Sequence, residues 1–272
     1  MKREDIRICI MRVGGTNCDE ETKRSFDDLG VKADVIHLNR IVREKSLLNY
    51  DILVFPGGVS YGDYIRAGAI WGRQIVSELG RDLEAFAEEG RPVLGICNGF
   101  QVLVESGLLP AFNGISPYPE AVLASNTSLR YECRWIHLRH DNLGNCVFTR
   151  DIPKGKTLLM AVAHAEGRFL FSRTSQDENL KRLYDNDQIV FRYCDYEGNY
   201  ANGEYPINPN NAFYDIAGIC NLQGNVFGLM PHPERAFYGW QLPDWTARSQ
   251  LSEYGDGRLI FKSVINYVCS QI

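Results

Sequence analysis

The residues best suited to chemistry stand in one short run, Val93-Leu94-Gly95-Ile96-Cys97-Asn98-Gly99-Phe100-Gln101. A buried cysteine ordinarily behaves as a small hydrophobe and tolerates many neighbours. Cys97 instead lies between two glycines, after an apolar run that reads as a buried strand. From Asn98 onward, Phe100, Val102 and Leu103 read as the start of a helix. A side chain on a sharp strand-to-helix turn projects from the carboxyl edge of a sheet, and the tight geometry needs small residues two positions to either side. Gly95 and Gly99 hold those positions, which makes the run a cysteine version of the Gly-x-Ser-x-Gly nucleophile elbow. The turn also sets Cys97 at a helix N-terminus, where the positive end of the dipole favours thiolate over thiol. A structural cysteine in a glycine-rich turn is the competing interpretation. Motif and strand–turn–helix context together favour the nucleophile.

A cysteine nucleophile needs a base, and usually a group that orients the base. Of the five histidines, His232 lies in Gly228-Leu229-Met230-Pro231-His232-Pro233-Glu234-Arg235-Ala236. Two prolines stiffen the backbone there. In an extended segment, residues i and i+2 project to the same side, so Glu234 would reach one imidazole nitrogen while the other faces the thiol. Alone, His-Pro-Glu is a weak signal; beside the elbow it is the obvious partner. A third piece, Pro56-Gly57-Gly58, follows an expected strand and would aim backbone N–H groups at a developing oxyanion. The rival reading, a phosphate loop, lacks both Gly-Lys-Ser/Thr and GxGxxG.

Elements must hold these pieces together. Ile6–Met11, Ala33–Leu38, Asp51–Phe55 and Pro92–Ile96 read as strands, several of them apolar throughout, as parallel strands buried on both faces would be. Cys18–Leu29 and Gly72–Glu89 read as crossover helices. This alternation predicts an α/β fold with an open, doubly wound, mostly parallel sheet flanked by helices. After Pro110, strands are expected at Cys133–Leu138, Thr157–Ala163, Gln188–Tyr193, Ile216–Asn221 and Val226–Leu229, adding antiparallel pairing. Ile260, Phe261, Val264, Ile265 and Val268 form the stripe of a final helix. Asp195–Tyr214 and Tyr238–Tyr254 read as surface excursions, and residues 1–272 as a single domain.

Composition narrows the classes. Hydrophobic content of 44% and charge content of 23% are ordinary for a globular protein. A net charge of −5 offers no reason to expect nucleic acid or an anionic membrane surface. No apolar run is long enough to span a bilayer. The N-terminal Met-Lys-Arg-Glu-Asp reads as the approach to a first strand rather than a signal peptide, so the reducing cytoplasm is the expected setting. Eight cysteines scattered without a CxxC pair suggest neither a disulfide framework nor a zinc site.

Together these residues resemble the class I (triad) glutamine amidotransferases, whose fold is flavodoxin-like. More narrowly, they resemble the glutaminase subunits of phosphoribosylformylglycinamidine synthases. The narrower likeness rests on Asn17-Cys18-Asp19, Gly57 through Tyr64, Asn98-Gly99-Phe100-Gln101, Ala163-His164-Ala165-Glu166-Gly167, Asp215-Ile216-Ala217-Gly218 and Gly228 through Ala236. The resemblance implies glutamine hydrolysis through a cysteinyl thioester, with Cys97, His232 and Glu234 catalytic. It implies an oxyanion hole at the N–H groups of Gly58 and Asn98. It also implies glutamine binding by Gly57, Gln101, His164, Ala165 and Glu166. The implied partners are a large synthetase subunit, which takes the ammonia and uses ATP and magnesium to convert formylglycinamide ribonucleotide to the amidine, and a small bridging subunit. No metal or cofactor is implied in this chain.

The family usually has Phe where Val59 stands and Gly where Ala165 stands. If position 165 needs a positive φ, alanine costs about 1 kcal/mol or more. The two excursions look longer than in the usual bacterial subunit. Cys18 lacks the glycine elbow, so a structural or lining role is favoured over chemistry. His137 and His140 fall on opposite faces of a strand and make a poor metal pair. Trp240 and Trp245 fit either a partner contact or ordinary packing. Two other functions compete: a different cysteine hydrolase or chaperone-like protein on the same elbow, and a non-catalytic scaffold. The first lacks the joint Gln101, His-Pro-Glu and Ser-Tyr-Gly-Asp blocks; the second would be expected to have lost part of the triad.

Overall fold

The computed structural model describes residues 1–250 and 252–271. Strand and helix alternate through the first half: β1 (Arg7–Arg12), α1 (Asp19–Asp28), β2 (Lys32–His37), α2 (Leu38–Glu44), β3 (Ile52–Phe55), α3 (Ala69–Glu88), β4 (Val93–Ile96) and α4 (Asn98–Glu105). The expected strands and crossover helices all form close to their expected positions. Helix α2 carries no readable apolar period, because only Leu38 and Ile41 of its seven residues are buried. Every residue of β3 and β4 is buried, as parallel strands covered on both faces require.

The second half adds β5 (Val122–Ala124), β6 (Glu132–His140), β7 (Thr157–His164), β8 (Arg168–Leu170), α5 (Gln176–Asp185), β9 (Ile189–Cys194), β10 (Ile216–Cys220), β11 (Val226–Leu229) and α6 (Arg258–Ser270). Among the described residues the main sheet has nine strands in the order β2-β1-β3-β4-β11-β10-β9-β6-β7. Strands β10, β9, β6 and β7 pair antiparallel, as expected. Val226–Leu229 pairs antiparallel with β10, as expected, but its other edge lies parallel to β4, and it is wholly buried. The result is an open sheet with a parallel half of five strands and an antiparallel extension. The three-residue strands β5 and β8, paired in a separate ribbon, are too short to show alternation in sequence. Helix α5 buries only Leu183 and likewise left no apolar stripe to read.

Right-handed crossovers place α1 on one face of the sheet and α2, α3 and α4 on the other. α6 joins α1, with Phe26 and Phe261 edge-to-face at 5.0 Å. α3 packs tightly on α4: a Cβ at Gly72 would lie 2.7 Å from that of Glu105. No described helix is long and apolar enough to cross a membrane.

The stretch from Asp195 to Tyr214 is not simply a surface excursion. Asn208 and Asn210 are fully buried. Asn208 Nδ2 donates to Asp215 at 2.9 Å, and Asn210 Nδ2 donates to the Gly167 carbonyl at 2.8 Å. Asparagine side chains satisfy the buried backbone of an irregular segment, which composition alone renders as an exposed loop. The second excursion is pinned where Tyr238 bridges to Tyr254, and Trp240 stacks on Tyr238 at 5.2 Å while staying half exposed; Leu251 lies outside the described residues.

Candidate active site

Because β3, β4 and β11 lie side by side in parallel, the loops that follow them emerge at one sheet edge. That edge holds the predicted residues. The Cys97 N–H extends the ladder, donating to the Leu229 carbonyl at 2.8 Å, and the chain then turns at once into α4. Cys97 takes φ 52° and ψ −106°, a region L-residues rarely adopt. Close approach explains the flanking glycines. A Cβ at Gly95 would lie 2.6 Å from the Gly99 carbonyl oxygen, and one at Gly99 would lie 1.8 Å from that of Phe55. Cys97 Sγ sits 3.6 Å from the Ala163 carbonyl, nearly buried.

His232 follows β11, and its N–H donates to the Ala161 carbonyl on β7 at 2.8 Å. His232 itself is extended, but Pro233–Ala236 forms a 3₁₀ turn with proline in its first position. The expected extended segment is therefore corrected. The turn, not a strand-like alternation, brings Glu234 Oε1 to 2.5 Å from His232 Nδ1. Both side chains are buried, and neither His232 Nε2 nor Glu234 Oε2 has a hydrogen-bond partner among the described residues. Burial alone would lower the His232 pKa. The Glu234 carboxylate, with the Cys97 and Cys18 thiols, outweighs it and holds the pKa well above the ordinary value.

The loop after β3 closes over this pair. A Cβ at Gly57 would lie 2.8 Å from His232 Cε1, and one at Gly58 would lie 2.8 Å from the Gly15 carbonyl. The Gly57 carbonyl accepts from the N–H groups of Asn17 and Cys18, at 3.3 and 3.1 Å. The N–H groups of Gly58 and Asn98 make no hydrogen bond among the described residues. Asn98 Oδ1 accepts from the Ser60 N–H at 3.2 Å, tying the loop to α4.

Gln101 is buried; its Oε1 accepts from Asn98 Nδ2 at 2.8 Å and its Nε2 donates to the Glu166 carbonyl at 2.5 Å. Glu166 Oε2 accepts from the Ala67 N–H at 3.0 Å. The His164 ring is buried with Nδ1 3.2 Å from Asn126 Oδ1, and burial together with the nearby His232 charge pushes its pKa down to about 3. It props the 165–167 segment from beneath. Ala165 is exposed and lies outside the left-handed region, so the backbone strain considered for alanine there does not arise.

Cys18 is a lining residue. It is buried, accepts from Arg235 Nη2 at 3.2 Å, and offers a donor within 4.8 Å of those of His232 and Glu234. Burial pushes its pKa up to about 11, which keeps it a thiol. His137 and His140 do alternate, the second buried and the first half-buried. Two residues were not singled out from sequence. Asn126 is fully buried and binds His164 and Gly167, yet sits in a stretch with no periodicity. Asp63 reaches Asn98 Nδ2 at 3.3 Å; its signal was the Ser-Tyr-Gly-Asp block.

Residues 5–268 match the CobB/CobQ-like glutamine amidotransferase domain. A phosphoribosylformylglycinamidine synthase subunit PurQ from Archaeoglobus fulgidus is 48% identical, over 98% of this chain and 99% of its own length. One from Methanococcus maripaludis is 42% identical over 96% and 97%. A chain in the structure of PurLQS from Thermotoga maritima superposes with a TM-score of 0.71 at 30% identity, covering 97% of this chain and 99% of that one. The chain therefore belongs to the CobB/CobQ-like glutamine amidotransferase family and, within it, to the PurQ subunits of phosphoribosylformylglycinamidine synthase.

Proposed function

We propose that Cys97 attacks the side-chain amide carbon of glutamine, forming a thioester and releasing ammonia. His232 takes the thiol proton and passes it to the departing amine. It then deprotonates the water that splits the thioester into glutamate and free Cys97. Glu234 holds Nδ1–H and stabilises the imidazolium. The unpaired N–H groups of Gly58 and Asn98 receive the oxyanion. Gln101, with the Ala165–Glu166 segment propped by His164 and closed by Gly57, holds the rest of the substrate. The observation that carries this reading is the strained Cys97 elbow beside a buried His232–Glu234 pair at 2.5 Å.

Residues 1–272 act as one unit built on the nine-stranded sheet. The ammonia passes to a large synthetase subunit that uses ATP and magnesium on formylglycinamide ribonucleotide, and a small bridging subunit completes the complex. The PurLQS origin of the Thermotoga neighbour supports that assembly. The eight free thiols support work in the reducing cytoplasm.

The test is glutamate release from glutamine by the chain alone, and with synthetase, ATP and formylglycinamide ribonucleotide. Strong release in the mixture is expected; none in either case would overturn the proposal. Glu234→Gln should lower the rate by roughly a hundredfold to ten-thousandfold, since an unoriented imidazole loses the correct tautomer. Without the carboxylate that raises His232, its limb of the pH–rate profile should move to lower pH. An unmoved limb would show that Glu234 does not tune this histidine.

A further inference from the structure

We propose that Asp63 binds the α-ammonium group of glutamine, so that the pocket selects an α-amino acid amide over a plain amide. This rests on the glutaminase reading above and adds a residue to it.

Asp63 ends a turn in which Tyr61, Gly62 and Asp63 all have positive φ, at 53°, 72° and 53°. The turn points the Asp63 carboxylate inward, where Oδ1 lies 3.3 Å from Asn98 Nδ2. Asn98 directly follows the nucleophile and also donates to Gln101, which in turn donates to the Glu166 carbonyl. Asp63 thus stands on a hydrogen-bonded chain that begins beside Cys97 and runs along the pocket. The amide end of the substrate is located independently, by Cys97 and by the buried Nε2 of His232, unpartnered among the described residues. An α-amino acid bound there extends its charged end away from the sulfur, along this chain.

The charges at that end are acidic. Burial, and then the Glu166 carboxylate, push Asp63 up to about 6. Arg66 on the same loop also feels Glu166, but its Nε and Nη2 are engaged by Glu105, both at 2.6 Å. Among the described residues no lysine, arginine or histidine pairs with Asp63 or Glu166 within 4.0 Å. A half-buried carboxylate that feels a second one, and is hydrogen-bonded only by an amide, is poorly satisfied until a cation arrives. A ligand ammonium supplies that cation and three N–H donors. The N–H groups of Ala165 and Glu166, unbonded among the described residues, remain for the α-carboxylate.

Asp63→Asn tests this, because asparagine adopts the left-handed backbone as readily as aspartate and keeps its shape. In the complex with synthetase, KM for glutamine should rise roughly tenfold to a hundredfold, with kcat within a few-fold. Glutaramate, which is glutamine without its α-amino group, should be a poor substrate whose KM the substitution leaves unchanged. Alkylation of Cys97 by iodoacetamide should proceed equally in both proteins, showing an intact elbow. An unchanged KM for glutamine, or equal losses for glutamine and glutaramate, would overturn the assignment. A wild-type complex that hydrolyses no glutamine would instead overturn the glutaminase reading, and this inference with it.

Discussion

Cys97→Ser is expected to abolish glutamine-dependent synthesis by the complex, by roughly four orders of magnitude or more, while leaving synthesis from free ammonia intact. The substitution changes one atom of a nearly buried side chain, so the elbow and its contacts should survive. What is lost is chemical. A serine hydroxyl gives up its proton far less readily than a thiol, and the buried His232–Glu234 pair is arranged to serve sulfur. In the proposed division of labour the ammonia-consuming half of the reaction lies on the partner, so added ammonium salts should bypass the defect. The two rates, measured side by side, decide the matter. Loss of the ammonia-dependent rate in that variant would sink the division of labour between subunits.

Gly99→Ala should have the largest effect on stability. A methyl there would lie 1.8 Å from the Phe55 carbonyl oxygen and 2.6 Å from its carbon. Both atoms belong to the backbone of β3, which is buried and paired on both sides, so no flexible side chain can give way. Either α4 is pushed off the sheet or β3 breaks its ladder. The cost should be about 3 kcal/mol or more, with glutaminase activity lost as the elbow is displaced. Gly80→Ala is the control. That glycine sits inside α3 with nothing within 4 Å of its missing Cβ, and alanine there should stabilise by about 0.5–1 kcal/mol. Denaturant midpoints of the two variants should move in opposite directions. A Gly99→Ala protein within about 1 kcal/mol of wild type would show that the close approach is not what requires glycine.

The order of parallel strands and crossover helices was legible because both signals are local: buried strands are apolar throughout, and crossover helices repeat at helical spacing. The elbow was legible for a related reason. Small residues two positions before and after a cysteine record how tightly the chain must turn. The same logic failed where order comes from polar groups. Asn208 and Asn210 read as loop residues and Asn126 carries no sequence signal, yet each is fully buried and satisfies buried or irregular backbone. Strand β11 pairs antiparallel with β10 as expected, but four apolar residues carry no direction and do not reveal its second, parallel neighbour. Only its neighbour in space, β4, decides which way it runs.

By itself, then, the sequence singled out the residues proposed to carry the chemistry and the class of sheet that presents them, since residue type and local spacing suffice for both. The tertiary structure alone decided how they meet. Cys97 and His232 are far apart in the chain and become neighbours because β11 lies between β4 and β10. Glu234 reaches its histidine through a turn rather than an extended segment, and Asp63 acquires its setting from Asn98 and Glu166, which lie on other elements. Those contacts depend on strand order and on how loops fold back over a sheet edge, and neither leaves a periodic trace in sequence.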